Sequence, residues 1–402
     1  MKEWRENNMM KNRWPIAYQV IKKLEHAGFE AYVVGGAVRD FIREVHANDV
    51  DITTNATPKE VKQLFEHTID VGIEHGTVLV VLDDTIEVTT FRADATYSDF
   101  RRPDNVEFVR SLQEDLQRRD FTMNAMAMTK SDELIDYFGG QKDIEKRVIR
   151  AVGDPNRRFS EDALRMLRAV RFSAQLDFSL HERTFEAIQS LHPLIEHVSI
   201  ERVKAELEKI WTSNYVGRGM QLFVSSKLAE KFPGEWDTHL EKWNSFKCFG
   251  NAANGWTFFA LMQQTDGINE LLNYYKCSNA EKAYVKQVLS AVDLLRKGYW
   301  TTYEIFQFKE DVLIAAVSFG ELIFGISSSY TNESIQQLKK AIPIMSSKEI
   351  VVNGNDIMEW KQQKRGPWLK EVIEKMTEAI VNGQLANNRK NIKEWFFREY
   401  DE

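Results

Sequence analysis

The chain of 402 residues is too long for one ordinary core, so two to four domains are expected. With 43% hydrophobic and 28% charged residues it has the balance of a soluble globular protein, and it contains no run of about 18 apolar residues to span a membrane. Cys248 and Cys277 alone exclude a disulfide framework and a cysteine-built zinc site and point to a reducing, cytoplasmic setting; at a net charge of −7, any nucleic-acid partner must meet a basic patch assembled by folding. The N-terminal MKEWRENNMMKNRW lacks the apolar stretch of a secretory signal.

Residues 15–27 (PIAYQVIKKLEHA) carry helical apolar spacing, opened by Pro15 and closed before Gly28. AYVVGGAVRD is a β-branched strand running into a glycine pair and a helix start. Residues 49–53 (DVDIT) predict a short strand, and Pro58 opens the helix PKEVKQLFE. Residues 77–82 and 86–91 predict two strands around the turn Asp83-Asp84-Thr85, and 105–109 a further one. Between them, 92–103 (RADATYSDFRRP) is polar and turn-rich, the pattern of a mobile loop. From Ser160 onward helical patterns dominate. FSEDALRMLRAVRFSAQL predicts one helix, followed by ERTFEAIQSL and SIERVKAELEKIWTS, and the remainder of the chain predicts helices only. The expected fold class is therefore α+β: a small mixed head over 1–148, then helical segments over 149–206, 207–300 and 301–402.

Three local patterns carry chemistry. Asp49 and Asp51 flank Val50 in a strand-like segment, and alternation would place both carboxylates on one face, about 6–7 Å apart at Cα. Two acids so placed repel each other unless a cation lies between them. Two Mg²⁺ ions about 3.5–4 Å apart would satisfy both, the geometry of in-line phosphoryl transfer. Glu87, on a neighbouring strand, is the candidate third carboxylate. Taken alone, D-x-D is equally an exposed polar strand face. Second, Gly35-Gly36 lets the backbone approach a bulky anion, and the following helix offers its N-terminus to phosphate. Arg39, one turn in, could add a bidentate fork. A lone glycine pair is also an ordinary strand-to-helix turn, but its combination with the aspartate pair describes a phosphate cradle beside a metal strand. Third, Asp162, Arg165, Arg168 and Arg171 recur every three residues and would fan across half of one helix. Asp162 could accept from the exocyclic amino group of cytosine or adenine while Arg165 donates to the acceptor beside it. Uracil presents a carbonyl and an N–H in those places, so both contacts would turn repulsive. The competing reading is a solvated face on which Asp162 and Arg165 form an ion pair near a helix N-terminus.

VVGGAVRD followed by DVDITTNATP resembles the bacterial class II CCA-adding enzymes and their relatives, the bacterial poly(A) polymerases. The resemblance continues through TYSDFRRPDNVEFV, RRDFTMNAMAM, YFGGQKDI and DPNRRFSEDALRMLRAVRF, dense over residues 30–178 and thinner beyond. It implies a head, neck, body and tail, all helical after the head. It further implies template-independent addition of CCA to the 3′ end of tRNA from CTP and ATP, with Mg²⁺ as cofactor. Carried over by motif, Asp49 and Asp51 would be the catalytic metal ligands, and Gly36, Arg39 and Arg119 would hold the triphosphate. Asp162 and Arg165 would select the base, while Arg168 and Arg171 hold phosphate and RNA backbone. The 92–103 loop would permit the switch from CTP to ATP. IVVNGNDIM…GPWLKEVIEKMTEAIVNGQLANN resembles the tail of such enzymes from Gram-positive bacteria, and Arg389, Lys390 and Lys393 there are candidates for gripping tRNA. No histidine is followed by aspartate, so the metal phosphohydrolase domain of some relatives is not expected. The competing functions are a poly(A) polymerase using ATP alone, a small-molecule nucleotidyltransferase, and an RNA-binding protein without catalysis. No membrane partner is expected, and a homodimer is left open.

Overall fold

The computed structural model describes residues 13–47, 49–72, 76–94, 106–263 and 267–400. The chain divides into two compact units, Met1–Asn244 and Ser245–Glu402, a coarser division than the four segments expected.

The first unit begins with α1 (Trp14–His26), whose Ala17, Val20, Ile21 and Leu24 face is buried. It continues into β1 (Ala31–Val34), α2 (Gly36–Ile42), β2 (Asp51–Thr54), α3 (Pro58–Leu64), β3 (Thr68–Gly72), β4 (Thr77–Val81) and β5 (Thr85–Thr90). After β6 (Arg92–Asp94), β7 (Val106–Phe108) and α4 (Leu112–Gln117) come β8 (Ala127–Met128) and β9 (Leu134–Ile135). One sheet has the order β3-β4-β5-β2-β1-β8-β9, antiparallel throughout except for the β2–β5 pair. Its core rests on Val33, Ile52, Val78, Val80, Ile86 and Val88, all buried. The central strand β2 buries Ile52, Thr53 and Thr54, and its polar atoms are satisfied inside: Thr54 Oγ1 donates to the Glu30 carbonyl at 2.6 Å. A capping box starts α3, with Thr57 accepting from Glu60 N–H and the Glu60 carboxylate accepting from Thr57 N–H.

Further helices complete this unit: α5 (Gly140–Glu145), α6 (Pro155–Glu161), α7 (Leu164–Leu176), α8 (Glu182–Leu191), α9 (Ile200–Trp211) and α10 (Val216–Ser225). The two-residue strands β10 (Val148–Ile149) and β11 (Ser179–Leu180) pair in parallel. Met166, Leu167, Ala169 and Val170 of α7 are fully buried, and Trp211 of α9 stacks on Trp243 at 6.0 Å with nearly parallel rings.

Four expectations are corrected. The strand predicted over 49–53 starts at Asp51, so Asp49 and Val50 precede it. The edge strand β3 was not anticipated, because Ile69 and Val71 are largely exposed and its apolar pattern is weak. Arg92–Asp94, read as loop, pairs with Val106–Phe108, while 95–103 of that loop lies outside the described residues. The single helix expected over FSEDALRMLRAVRFSAQL is two, because Asp162 is extended (φ −142°, ψ 103°), ending α6, and its carboxylate accepts from Leu164 N–H, the first residue of α7, at 3.1 Å.

The second unit contains only helices among its described residues. One, Ala253–Gln263, is buried on every side over Ala253–Met262, as expected of a central helix. Phe246, Phe258 and Phe319 pack ring on ring around it. Capping boxes at Ser278, Thr301 and Asn353 start three helices of this unit. No helix among the described residues is long and apolar enough to cross a membrane.

The packing of α10 on its neighbours allows no side chain at Gly219. A Cβ there would lie 2.7 Å from Ala174 Cβ and 2.8 Å from Ile210 Cγ2. Gly219→Ala should destabilise the protein by about 1–3 kcal/mol, measurable by denaturant unfolding.

Candidate active site

A cavity of about 780 Å³ opens in the first unit, and its walls bring together Gly36, Arg39, Asp49, Asp51, Arg119, Asp162, Arg165, Arg168 and Arg171. Every residue singled out in the sequence for catalysis or nucleotide binding, apart from Glu87, therefore lines one space. Eight arginines and five aspartates line it in all, a balance that favours a polyanion.

At the acidic end, Asp51 opens β2 and stands in register with Glu87 of β5. Water reaches the Asp51 side chain, yet protein crowds it; burial first, then repulsion from Glu87, pushes its carboxyl up to about 6 against the pull of Arg119 and Arg13. Asp49 is well exposed and meets Arg13 Nη1 at 3.1 Å. The phosphate cradle departs from expectation in one respect. Gly35 has φ 72°, and a Cβ there would sit 3.1 Å from Arg119 Nη1, so the turn needs glycine for both backbone and space. The Arg39 fork, expected to face phosphate, is taken up by Asp40: Nε and Nη2 each donate at 2.9 Å, and Nη1 donates to Asn124 Oδ1 at 2.9 Å.

At the other end, Arg165 is buried on α7. Its Nη1 donates to Glu161 Oε2 at 3.1 Å and its Nη2 to the Arg118 carbonyl at 2.9 Å. The exposed Asp162–Arg165 pair of the competing reading is thus not what forms: Asp162 meets Arg202 of α9 instead, at 3.3 Å. Arg168 places Nε and Nη2 on Asp120 Oδ2 at 2.8 and 2.6 Å. Arg171 pairs with buried Glu206 and lies 4.3 Å from the Phe172 ring centroid; burial, and then Arg168, bring its guanidinium down to about 10. The Phe172 ring also carries Arg39 and Arg168 at 5.5 and 5.4 Å, so one aromatic ring gathers three cations.

Three family models match the chain in order: "Poly A polymerase head domain" over residues 31–150, "Probable RNA and SrmB- binding site of polymerase A" over 177–237, and "tRNA nucleotidyltransferase domain 2 putative" over 248–396. The CCA-adding enzyme of Bacillus mycoides (strain KBAB4) is 40% identical over 403 residues, covering 96% of this chain and 98% of that one. The chain belongs to the CCA-adding enzyme family. That of Geobacillus sp. (strain WCH70) is 41% identical over 396 residues, covering 96% and 97%. The solved structure of the Bacillus stearothermophilus CCA-adding enzyme in complex with CTP superposes with a TM-score of 0.86 at 34% identity, over 96% of this chain and 97% of that one. As a family member the chain is a nucleotidyltransferase with a mixed head and a helical remainder.

Within this CCA-adding fold, sequence reading missed the residues that hold the others. Asp115, fully buried, accepts from Arg118 at 3.0 and 2.8 Å and from Arg119 at 3.2 Å, and it meets Thr53 of β2 at 3.3 Å. Burial alone would raise its carboxyl, but the two arginines outweigh that and hold it below the usual range. Asp120 accepts from Arg168, from Asn124 and from Phe121 N–H. Its burial is likewise outweighed by Arg168, which brings the carboxyl to about 2. The signal for both was only the run EDLQRRD, acids beside arginines with no indication of burial.

Because the folded-state carboxyl of Asp120 lies below its unfolded value of about 4, its contribution to stability is present above pH ~4 and is lost as pH falls towards 2. Asp120→Asn should cost about 3 kcal/mol near neutrality, the scale for breaking a buried pair. Unfolding measured across pH should show this gap between native protein and variant closing as pH falls through that window.

Proposed function

We propose that this chain adds C, C and A in turn to the 3′ end of tRNA, using CTP and ATP and releasing pyrophosphate. The observation that carries the reading is one cavity joining a carboxylate end, an arginine wall and the Asp162–Arg165 segment. Near-full-length relatives named CCA-adding enzyme favour it over the poly(A) polymerase alternative.

Nucleotidyltransferases of this family generally use divalent metal ions. The acidic end fits one: Asp51 carries negative charge that burial and Glu87 make costly, which a cation would relieve. No group of three His, Cys, Asp or Glu side chains among the described residues is arranged to hold a metal by itself. Two carboxylates completed by phosphate and water oxygens suit Mg²⁺, which we take as the ion. Asp49 and Asp51 would hold it, with Glu87 beside them, and when bound it would supply charge neutralisation at the triphosphate and activation of the attacking hydroxyl. Arg119 and Arg168, aimed by Asp115 and Asp120, would neutralise the triphosphate, and Gly35-Gly36 would let it approach the backbone. Gly36 contributes by lacking a side chain, and Arg39 by bracing the turn against Asn124. Asp162 and Arg165 would accept cytosine or adenine and refuse uracil, while Arg171 with Phe172 would steady phosphate or RNA backbone. The tRNA 3′-OH would then attack the α-phosphate in line. No covalent enzyme intermediate is required, since positioning and charge account for the step. The helical second unit would grip tRNA by shape and phosphate contacts, with Arg389 and Lys393 braced on the Trp360 ring and Lys390 beside them. The substrate sets the place of action in the cytoplasm.

The test uses tRNA lacking its last three nucleotides with Mg²⁺ and CTP or ATP, singly or together. Products should stop at CC without ATP and finish with one A. A lengthening A ladder without CTP would overturn the reading. Asp51→Asn should abolish transfer while gel-shift affinity for tRNA is kept.

The same variant has a second signature. A carboxyl raised in the folded state contributes stability that is full below pH ~4 and lost as pH rises through about 6. Metal-free Asp51→Asn should therefore melt higher than the native protein at pH 7.5, with the difference gone near pH 4. Mg²⁺ should raise Tm of the native protein and leave the variant's unchanged.

A further inference from the structure

The helix α9 contributes two charges to the cavity. Its Glu206 holds Arg171, and one turn before, its Arg202 reaches Asp162. Arg202 belongs to none of the patterns legible in the sequence, yet it lines the same cavity as the base-selecting residues. The Asp162 carboxylate is tied at both oxygens: Oδ1 accepts from Leu164 N–H at 3.1 Å and Oδ2 from Arg202 Nη2 at 3.3 Å. These ties matter because Asp162 sits in an extended break between α6 and α7, where no helix backbone fixes its side chain. The other terminal nitrogen of Arg202, Nη1, is buried with no hydrogen-bond partner among the described residues. The bond from Nη2 to Asp162 is thus the hold on this guanidinium among the described residues.

We propose that Arg202 is the positioning residue for base selection: through Nη2 it fixes the direction of the Asp162 carboxylate towards the base edge. The proposal rests on the reading of Asp162 as a base-selecting group. A carboxylate pinned at both oxygens by two donors keeps one lone pair on each, held in fixed directions. It then rewards an exocyclic amino group and cannot swing away from a carbonyl, which is how a rigid site discriminates better than a mobile one. Glu206, on the same helix, touches Arg171 and not Asp162, so it separates an effect through Asp162 from a general loosening of α9.

The experiment measures kcat and KM for CTP and for UTP with the full chain, Mg²⁺ and tRNA lacking its last three nucleotides. Arg202→Met should lower the CTP:UTP ratio of kcat/KM about tenfold, and raise KM for CTP, with kcat for CTP little changed. Arg202→Lys keeps a donor for Asp162. It should restore most of the ratio and bring KM for CTP back towards the native value. Glu206→Gln should leave the ratio as it is. An unchanged ratio in Arg202→Met, or an equal fall in Glu206→Gln, overturns the proposal. Asp162→Ala distinguishes the two levels. If it collapses the ratio while Arg202→Met does not, only the role of Arg202 falls; if it leaves the ratio unchanged, base selection by Asp162 falls and the proposal with it.

Discussion

A guanidinium cannot be left unpaired in a protein wall, and this constraint shapes the whole cavity. Under the proposed function the site needs several fixed cations to meet a triphosphate, but each must have a partner when the nucleotide is absent. Asp115 holds Arg118 and Arg119, Asp120 holds Arg168, Glu161 holds Arg165 and Glu206 holds Arg171. Removing one partner would leave a buried charge uncompensated, which costs several kcal/mol. The arginines are therefore aimed before substrate arrives, and preorganised charge of this kind is what stabilises a phosphoryl-transfer transition state most effectively.

The clamps also connect parts of the chain that do different jobs. Asp115 touches Thr53, two residues along β2 from Asp51, so the strand bearing Asp51 and the arginines Arg118 and Arg119 share one anchor. Arg165 in turn donates to the carbonyl of Arg118, which links α7 to that anchor. The elements from β2 to α7 thus form one bonded framework. Displacement of any of them would be felt at the reacting centre, where small errors in position cost rate.

Much of this site was legible in the sequence because its chemistry is local. Gly35-Gly36, Asp49-Val50-Asp51 and Glu161-Asp162-Ala163-Leu164-Arg165 are contiguous segments whose residue types state their use. The mixed head and the helical remainder followed from a change of apolar period near residue 150. The clamps were not legible, because Asp120 and Arg168 are 48 residues apart and Asp162 and Arg202 are 40 apart. Only the fold brings such pairs together. The break at Asp162 escaped for a different reason. No Gly or Pro interrupts SEDALR, so periodicity continued straight through it, whereas the aspartate itself ends one helix and takes up the first N–H of the next.

That break is what the proposed reading of a base by Asp162 depends on. On an unbroken helix, Asp162 would stand in the ion-pairing relation to Arg165 that the spacing suggests, and each would neutralise the other. Extended backbone at Asp162 removes it from that relation: Arg165 goes to Glu161, and Asp162 is left to Leu164 N–H and Arg202. The acid and the base are thereby held separately while lining the same wall. Two polar groups that do not satisfy each other keep bonding capacity for a third party, and a base edge offering a donor beside an acceptor is a partner that can use both.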